Sequence, residues 1–373
     1  MSKIDFVYFD AGGGHRAAAT ALKAVIDAQK RTWGVQWDIR LVNLQEILRP
    51  LDVFRKVTGL ELQEIYNQML ARGWTFGSAQ GLKFMHAVIR LYHRPAVDLL
   101  AKYWAATRPD LVVSLVPNFN KAMFESLKIA LPAVPYVTIL TDIADYPPHF
   151  WMEKQNQYLI CGSDKAVAQA RALGYTEDRI FRASGMILRP GFYQPVTVDR
   201  AAERKKLKLD PDRPTGLVLF GGQGSKVMLE IAERLPETQL ILICGKNAGL
   251  AERLRALPSR APRFVEEFTS EIPYYMSLSD FFIGKPGPGS ISEAIAMGLP
   301  VIVQRNILTL PQERYNADWV LERNAGLVLP NFRGIHTAVE ELLRDLPRYQ
   351  NAVRQIHNRA VFEIPELLAK ILG

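Results

Sequence analysis

The sequence alternates short apolar, β-prone runs with longer stretches of helical pattern, and this alternation occurs twice. The predicted strands of the first series are residues 4–9, 39–42, 111–115, 136–140 and 158–161; those of the second are 217–220, 240–244, 280–283, 301–303 and 327–329. Strands that alternate with helices form parallel sheets with helices on both faces. The sequence therefore predicts an α/β protein with two doubly wound parallel sheets.

The two series are separated by residues 189–195, Arg-Pro-Gly-Phe-Tyr-Gln-Pro, which suit neither a helix nor an interior strand. A chain of 373 residues is long enough for two domains at roughly 150 residues each. We place the boundary after Pro190, which gives domains 1–190 and 191–373, and the last helix is a candidate to pack back on the N-terminal domain. If the two domains face one another, ligands are expected at the carboxyl ends of both sets of strands.

The amino-acid composition indicates an acidic binding partner but does not identify it. The chain has 46 Lys and Arg against 38 Asp and Glu, a net charge of +8, which suits a nucleotide, a nucleic acid or an anionic membrane surface. The two cysteines, Cys161 and Cys244, end apolar runs and are expected to be buried thiols in a reducing compartment. No signal-peptide pattern and no apolar stretch of roughly 18 to 20 residues is found. We expect a cytoplasmic protein with at most peripheral membrane contact.

Residues 51–103 interrupt the first series with aromatic and basic residues and no strand pattern. The segment is interpreted either as helical core or as a membrane-facing insert. Its centre places Trp74 and Phe76 between Gly73 and Gly77, an arrangement typical of aromatic anchors at a membrane interface.

A glycine-rich turn, Gly12-Gly13-Gly14-His15, follows the first predicted strand and opens a helix. Glycines allow a sharp turn close to a ligand, and a helix N-terminus attracts anions. The spacing from Gly12 to Ala17 also satisfies the dinucleotide fingerprint, which requires an acidic residue at the end of the second strand. That strand ends in Asn43, which disfavours a nicotinamide-dependent enzyme.

A second glycine-rich turn, residues 284–294, follows a strand of the other half. Gly289 and Ser290 would present N–H groups to a diphosphate, and Glu293 is expected in the first helical turn, to accept ribose hydroxyls or only to compensate the helix dipole. Glycine-containing loops at 221–225 and 245–247 follow two further strands. Three such loops predict a nucleotide site in the C-terminal domain.

Together these residues resemble the inverting glycosyltransferase family of monogalactosyldiacylglycerol synthases and processive diacylglycerol glucosyltransferases, which are related to the lipid II N-acetylglucosaminyltransferase. The matching segments are Gly12-Gly-Gly-His-Arg-Ala17, Thr141-Asp142, Arg189-Pro190, Cys244-Gly-Lys-Asn247, Lys285-Pro-Gly-Pro-Gly-Ser-Ile-Ser-Glu293 and Gln312-Glu-Arg-Tyr-Asn316. They run in family order across almost the whole chain.

The resemblance implies a GT-B fold of two facing Rossmann-like domains, with a UDP-sugar bound in the C-terminal domain without metal or other cofactor and a lipid acceptor in the N-terminal domain. The implied donor-binding residues are Gly222 and Gln223; Gly245, Lys246, Asn247 and Phe268 at the uracil; Gly287, Pro288, Gly289 and Ser290 at the diphosphate; Glu293 at the ribose; and Gln312, Glu313 and Asn316 at the hexose. The acceptor and membrane residues are Gly13, Gly14, Trp74 and Phe76. Two departures, Gln223 and the segment 145–149, leave the sugar and the acceptor open.

Transfer to a lipid hydroxyl needs a base, and His15 is the candidate because the helix dipole disfavours its protonated form. A capping or phosphate-contacting histidine is the alternative. Asp142 could orient His15, act as the base itself, or only cap a helix. Asp210-Pro-Asp212 resembles a metal motif but lies in a polar turn before a strand, so a solvated turn is expected.

The resemblance thus implies an inverting hexosyltransferase that makes glycolipid from diacylglycerol at the cytoplasmic face of the membrane. A nucleotide-sugar epimerase on the same fold and a transferase with another lipid acceptor are the alternatives. The net positive charge is the one feature that suggests nucleic-acid binding. No basic run interleaved with aromatic residues supports it, so we do not expect a nucleic-acid partner. UDP-galactose, UDP-glucose and UDP-glucuronic acid all remain possible donors.

Overall fold

The computed structural model describes residues 1–10, 14–33, 36–51, 86, 89–194 and 196–373, with the backbone alone for 30–33. By internal contacts these residues form two units, which divide between Pro190 and Gly191 and again between His357 and Asn358. The first unit comprises the described residues up to Pro190 together with 358–373; the second is built from 191–357. The last helix of the chain therefore belongs to the first unit.

The first unit is a six-stranded parallel sheet with helices between the strands. Its strands are β1 (Ser2–Tyr8), β2 (Trp37–Asn43), β3 (Leu111–Ser114), β4 (Tyr136–Ile139), β5 (Tyr158–Cys161) and β6 (Ile180–Arg182). Its helices are α1 (Gly14–Trp33), α2 (Leu44–Leu48), α3 (His93–Thr107), α4 (Asn120–Ala130), α5 (Asp164–Ala172) and, at the end of the chain, α14 (Ala360–Leu372).

The second unit repeats this plan. Its strands are β7 (Thr215–Leu219), β8 (Gln239–Ile243), β9 (Arg263–Glu266), β10 (Phe281–Gly284), β11 (Val301–Gln304) and β12 (Gly326–Leu329). Its helices are α6 (Arg200–Lys206), α7 (Val227–Arg234), α8 (Ala248–Ala256), α9 (Ile272–Ser277), α10 (Pro288–Ala296), α11 (Arg314–Glu322), α12 (Ile335–Arg344) and α13 (Leu346–Arg354).

Every strand pairing in both sheets is parallel, as the alternation predicted. The strand orders are β2-β1-β3-β4-β5-β6 and β12-β11-β10-β7-β8-β9. In such sheets the chain reverses its direction of winding at one point, between β1 and β3 in the first unit and between β7 and β10 in the second. Ligands bind at the carboxyl ends of the strands at this switch point.

The two strands that the sequence did not predict, β6 and β9, each lie at the edge of a sheet. β6 has three residues, and both strands are only partly buried along most of their length. An edge strand is covered less than a central one, so neither has the continuous apolar run by which the buried strands were recognised.

The apolar face of α14 packs against α1, and Ala360, Val361 and Leu368 have no exposed surface. Polar contacts fix the start of the helix: Asn358 Nδ2 donates to the Met186 carbonyl at 2.8 Å, and Glu363 accepts from the Ser184 amide at 2.7 Å. Within the described residues, no helix is both long enough and apolar enough to cross a bilayer.

Candidate functional site

His15 lies at the switch point of the first sheet. It is the second residue of α1, which begins a few residues after β1 ends at Tyr8. The neighbouring strand β3 continues into Leu115, whose amide donates to the Val7 carbonyl at 2.9 Å. The Leu115 backbone also hydrogen-bonds the His15 ring. The start of α1 therefore places His15 where this fold binds ligands.

The residues around the ring come from the loop after β4. His15 Nδ1 lies 3.0 Å from Thr141 Oγ1, and the ring packs at 5.8 Å between centroids against Trp151. The indole Nε1 of Trp151 donates to Asp142 Oδ2 at 2.8 Å, and both residues are buried. Trp151 therefore contacts both Asp142 and His15, and the hydroxyl that contacts the imidazole is that of Thr141.

The pKa of His15 falls to about 4, chiefly because the protein around the ring removes water from it; the bond to Leu115 acts in the opposite direction. The sequence argument attributed a neutral ring to the helix dipole, and the structure adds burial as a cause of the lowered pKa. Although part of the residue reaches solvent, the imidazole is neutral at pH 7. A neutral imidazole can accept a proton.

The segment 145–149 holds Trp151 in place. Asp145 accepts hydrogen bonds from the amides of Tyr146 and Trp151, both at 2.8 Å, and burial raises the pKa of its carboxyl. His149 pairs with the buried Glu153 at 2.7 Å. This is where the sequence departs from the family pattern, and Asp145 in this segment hydrogen-bonds the backbone of Trp151, the aromatic neighbour of His15.

In the second unit, the glycine loops after β7 and β8 pack directly on each other. The Lys246 amide donates to the Gly222 carbonyl at 2.8 Å. Gly245 has φ = +60°, and a Cβ there would lie 2.3 Å from the Gly222 carbonyl oxygen. The close approach requires glycine at 245, while Gly222 and Gln223 stay on the accessible side of the loop.

The third turn leads from β10 into α10. Gly287 is the N-cap residue and Pro288 the first helical residue, so the free N–H groups of the first turn belong to Gly289 and Ser290. A Cβ at Gly289 would meet no atom within 4 Å. The expectation for Glu293 was wrong: the first turn of α10 holds no acidic residue, and Glu293 lies one turn further along.

The residues predicted at the hexose follow β11. Gln312 and the buried Glu313 belong to the 3₁₀ turn Pro311–Glu313, and Asn316 lies in α11. Asn316 Nδ2 donates to the Pro286 carbonyl at 2.8 Å, and Glu313 pairs with Lys285 at 3.1 Å. The turn before α10 and the residues after β11 therefore form one connected cluster.

The residues predicted at the uracil divide into two kinds. Phe268 is 61% exposed, with the Lys246 ammonium 5.5 Å from its ring centroid, and so presents an open aromatic face. Asn247 instead caps α8, since its Oδ1 accepts from the Leu250 amide at 3.1 Å. Of the acceptor residues, Gly14 begins α1, whereas Gly13, Trp74 and Phe76 lie outside the described residues.

Three residues at these sites were absent from the predicted set: Thr141, Trp151 and Lys285. Thr141 and Lys285 stand inside segments that carried the family resemblance, so their neighbours in the motif could have indicated them. Trp151 had no such signal. Its contact with His15 depends on how the loop after β4 folds over the switch point.

Comparison with known proteins supports the family resemblance. Residues 217–362 match the model of the glycosyltransferase family 28 C-terminal domain. Probable monogalactosyldiacylglycerol synthase 2, chloroplastic, of Oryza sativa subsp. indica is 28% identical, over 97% of this chain and 79% of the relative. Monogalactosyldiacylglycerol synthase 1, chloroplastic, of Arabidopsis thaliana is 26% identical, over 97% of this chain and 69% of the relative. The resemblance to monogalactosyldiacylglycerol synthases, inferred from the sequence motifs, is confirmed.

Solved structures define the fold. MurG of Acinetobacter baumannii superposes with a TM-score of 0.60 at 14% identity, covering 99% of each chain. WaaG, a glycosyltransferase involved in lipopolysaccharide biosynthesis, gives 0.54 at 14% identity over 100% of each chain. A UDP-GlcNAc 2-epimerase from Neisseria meningitidis also gives 0.60 at 14%, covering 99% of this chain and 100% of the epimerase. The fold is GT-B, and because transferases and an epimerase share it, the fold alone does not choose between them.

Proposed function

We propose that this protein is an inverting glycosyltransferase that moves a hexose from a UDP-sugar to the free hydroxyl of diacylglycerol. The observation that carries the proposal is the convergence of glycine loops at the carboxyl ends of β7, β8 and β10 within a family 28 domain. An epimerase would share the donor site but would need no lipid acceptor and no membrane surface.

The donor would be held by the second unit. The amides of Gly289 and Ser290 face the diphosphate at the N-terminus of α10, and Phe268 offers a face to the uracil. Glu293 reaches the ribose, and Gln312, Glu313 and Asn316 reach the hexose. In this assignment the helix N-terminus and the loop amides stabilise the charge on the leaving diphosphate, so the proposed reaction uses no divalent metal.

The first unit would activate the acceptor. The lipid hydroxyl oxygen attacks C1 of the hexose, the bond from C1 to the diphosphate oxygen breaks, and UDP leaves with the bonding electron pair. The hydroxyl proton passes to His15, whose ring is neutral at pH 7 because burial lowers its pKa to about 4. Attack from the face opposite the leaving group inverts the anomeric carbon.

Diacylglycerol is proposed as the acceptor because the curated relatives are named monogalactosyldiacylglycerol synthases. Such a lipid stays in the bilayer, so we place the protein at the cytoplasmic face of the membrane, bound peripherally. The docking residues proposed from the sequence, Trp74 and Phe76, lie outside the described residues.

Mass spectrometry of lipids tests the function. The protein is incubated with diacylglycerol liposomes and UDP-galactose, UDP-glucose or UDP-glucuronic acid in turn, with and without EDTA. We expect a glycosyl-diacylglycerol from at least one donor, unaffected by EDTA. A UDP-sugar that is converted without lipid would instead establish the epimerase alternative.

Sedimentation with anionic liposomes tests the docking residues. The double variant Trp74→Ser and Phe76→Ser should pellet less than the parent, because burial of apolar surface at the interface contributes about 25 cal/mol per Å². UDP affinity should not change. Equal pelleting of variant and parent would show that Trp74 and Phe76 do not dock the protein and that the docking surface lies elsewhere.

A further inference from the structure

An ion pair joins the two sides of the proposed diphosphate site. Lys285 follows β10 directly, and its Nζ lies 3.1 Å from Oε1 of Glu313. The lysine side chain is 43% exposed, whereas the glutamate side chain is only 11% exposed. The ammonium can therefore be reached from solvent, while the carboxylate is largely shielded by the protein.

The pair lies directly beside the glycines of the site. A Cβ at Gly287 would be 3.2 Å from Lys285 Cε and 3.7 Å from Glu313 Oε1, and one at Gly221 would be 4.0 Å from the same lysine carbon. Gly287 is the N-cap residue of α10, and Gly221 begins the loop after β7. Lys285 thus lies at the switch point between β7 and β10.

A second observation indicates that the cluster is completed by a ligand. Asn316 has no exposed surface, and its Oδ1 has no hydrogen-bond partner within the described protein, although its Nδ2 donates to the Pro286 carbonyl. Buried side-chain oxygens are nearly always hydrogen-bonded. Asn316 Oδ1 lies next to the turn that holds Lys285, and an oxygen without a partner at this place is expected if a polar ligand supplies the missing hydrogen bond.

The charges of the pair have opposite effects on an anionic ligand. A diphosphate near Gly287 is attracted by the ammonium of Lys285 and repelled by the carboxylate of Glu313. The carboxylate competes with a phosphate for the ammonium, because each hydrogen bond from Lys285 to Glu313 leaves one donor fewer for the ligand. A ligand that carries a hexose as well as a diphosphate can satisfy both, since sugar hydroxyls donate to a carboxylate.

Building on the proposed function, we propose that Lys285 binds the diphosphate of the donor and that Glu313 forms an ion pair with Lys285 when no donor is bound. Binding of the UDP-hexose transfers Lys285 to the phosphates and releases Glu313 to the hexose hydroxyls. After transfer, the hexose has left with the product, so Glu313 no longer accepts hydrogen bonds from it. The Glu313 carboxylate then competes with the phosphates of UDP for the Lys285 ammonium. The ion pair therefore makes the site favour the UDP-hexose over UDP and assists product release.

Calorimetric titration with UDP, UDP-hexose and uridine tests this exchange. Glu313→Gln should bind UDP about threefold to fivefold more tightly, because the repelling carboxylate is lost and solvent around the exposed Lys285 keeps the effect small. The same variant should lose part of its preference for UDP-hexose over UDP. Lys285→Gln should bind UDP about tenfold more weakly, because a charge-assisted bond to phosphate is lost. Its affinity for uridine, which has no phosphate, should stay unchanged.

The double variant and a matched control complete the experiment. With Lys285 replaced by Gln, the change Glu313→Gln should tighten UDP binding less than it does in the parent, since the competition for the lysine is gone. Asp318→Asn removes the carboxylate of a comparable pair with Arg305 and should leave UDP affinity unchanged.

The outcomes separate the exchange from the donor assignment. A parent protein that binds neither UDP nor UDP-hexose would refute the proposed function. A parent that binds UDP, with Glu313→Gln binding it equally or more weakly, would refute the exchange alone. Loss of both UDP and uridine by Lys285→Gln would show a structural role for the lysine and would also overturn the exchange.

Discussion

The N-termini of two helices, α1 and α10, occupy equivalent places in their sheets but differ in what surrounds them. The first includes His15, which contacts Thr141 and Trp151. The second is surrounded by Lys285 and Glu313, an ion pair, and by the open backbone of Gly289. The N-terminal turn of α1 thus places a histidine beside a hydroxyl and an indole, and that of α10 lies among charges and accessible amides.

This difference shows how one structural element can serve two kinds of chemistry. In the first unit, burial changes the protonation of a side chain, as the lowered pKa of His15 shows. In the second, glycines expose backbone N–H groups, and these carry no proton that could titrate near neutral pH. We expect the first turn to govern proton transfer and the second to govern anion binding, so that substitutions in one leave the property of the other intact.

The largest effect is expected for His15→Ala. Loss of a general base lowers transfer by about 10²–10⁴-fold, whereas UDP affinity should stay within the error of calorimetry because the donor residues belong to the second unit. Initial rates with diacylglycerol liposomes give the first quantity. His336→Ala, a surface histidine paired with Glu340, is the matched control and should retain full activity. Full activity of His15→Ala would transfer the role to Asp142.

A smaller effect of the opposite kind is expected for Glu293→Ala. Loss of charge-assisted hydrogen bonds to the ribose should cost about 1.5–3 kcal/mol of UDP affinity, while the pH profile of transfer keeps its shape. Calorimetry measures the affinity, with Glu340→Ala on the surface of α12 as the control. Unchanged affinity would contradict the ribose assignment.

The smallest effect concerns the pH dependence of kcat/KM. A base acts when neutral, so its activity is lost as the pH falls through its pKa, and a lowered pKa moves that loss to lower pH. With the pKa of His15 at about 4, kcat/KM should change by less than about twofold between pH 7 and 5.5, whereas an ordinary histidine would lose about tenfold. The KM for the UDP-sugar at both pH values serves as the control. A decline with an apparent pKa near 6.5 would show that the ring is hydrated in the working enzyme.

The central strands could be predicted from sequence because a buried parallel strand is a continuous apolar run. The run at 158–161 coincides with β5, and that at 111–115 exceeds β3 by one residue. The edge strands β6 and β9 could not be predicted in this way, because they are partly exposed and contain both polar and apolar residues. The glycine turns were located by their position after a strand, which is a local property.

The surroundings of the turns depend on the tertiary fold. His15 and Thr141 are 126 positions apart in the chain, and only the parallel pairing of β1, β3 and β4 brings their loops to one edge of the sheet. The placement of Glu293 failed for a local reason. The helix begins at Pro288, and a residue-type pattern does not fix such a boundary to within a turn.

The return of the chain to the first unit has a consequence for modular exchange. Because α14 packs on α1, residues 191–357 are topologically an insertion, entered and left through the first unit. Exchanging the donor-binding module between relatives therefore needs two junctions, one near residue 190 and one near residue 357. A hybrid with a single junction near residue 190 would take its terminal helix from the other relative, and this helix would replace α14 against the buried face of α1. Such a hybrid should be destabilised in its first unit, although almost all of the sequence of that unit is unchanged.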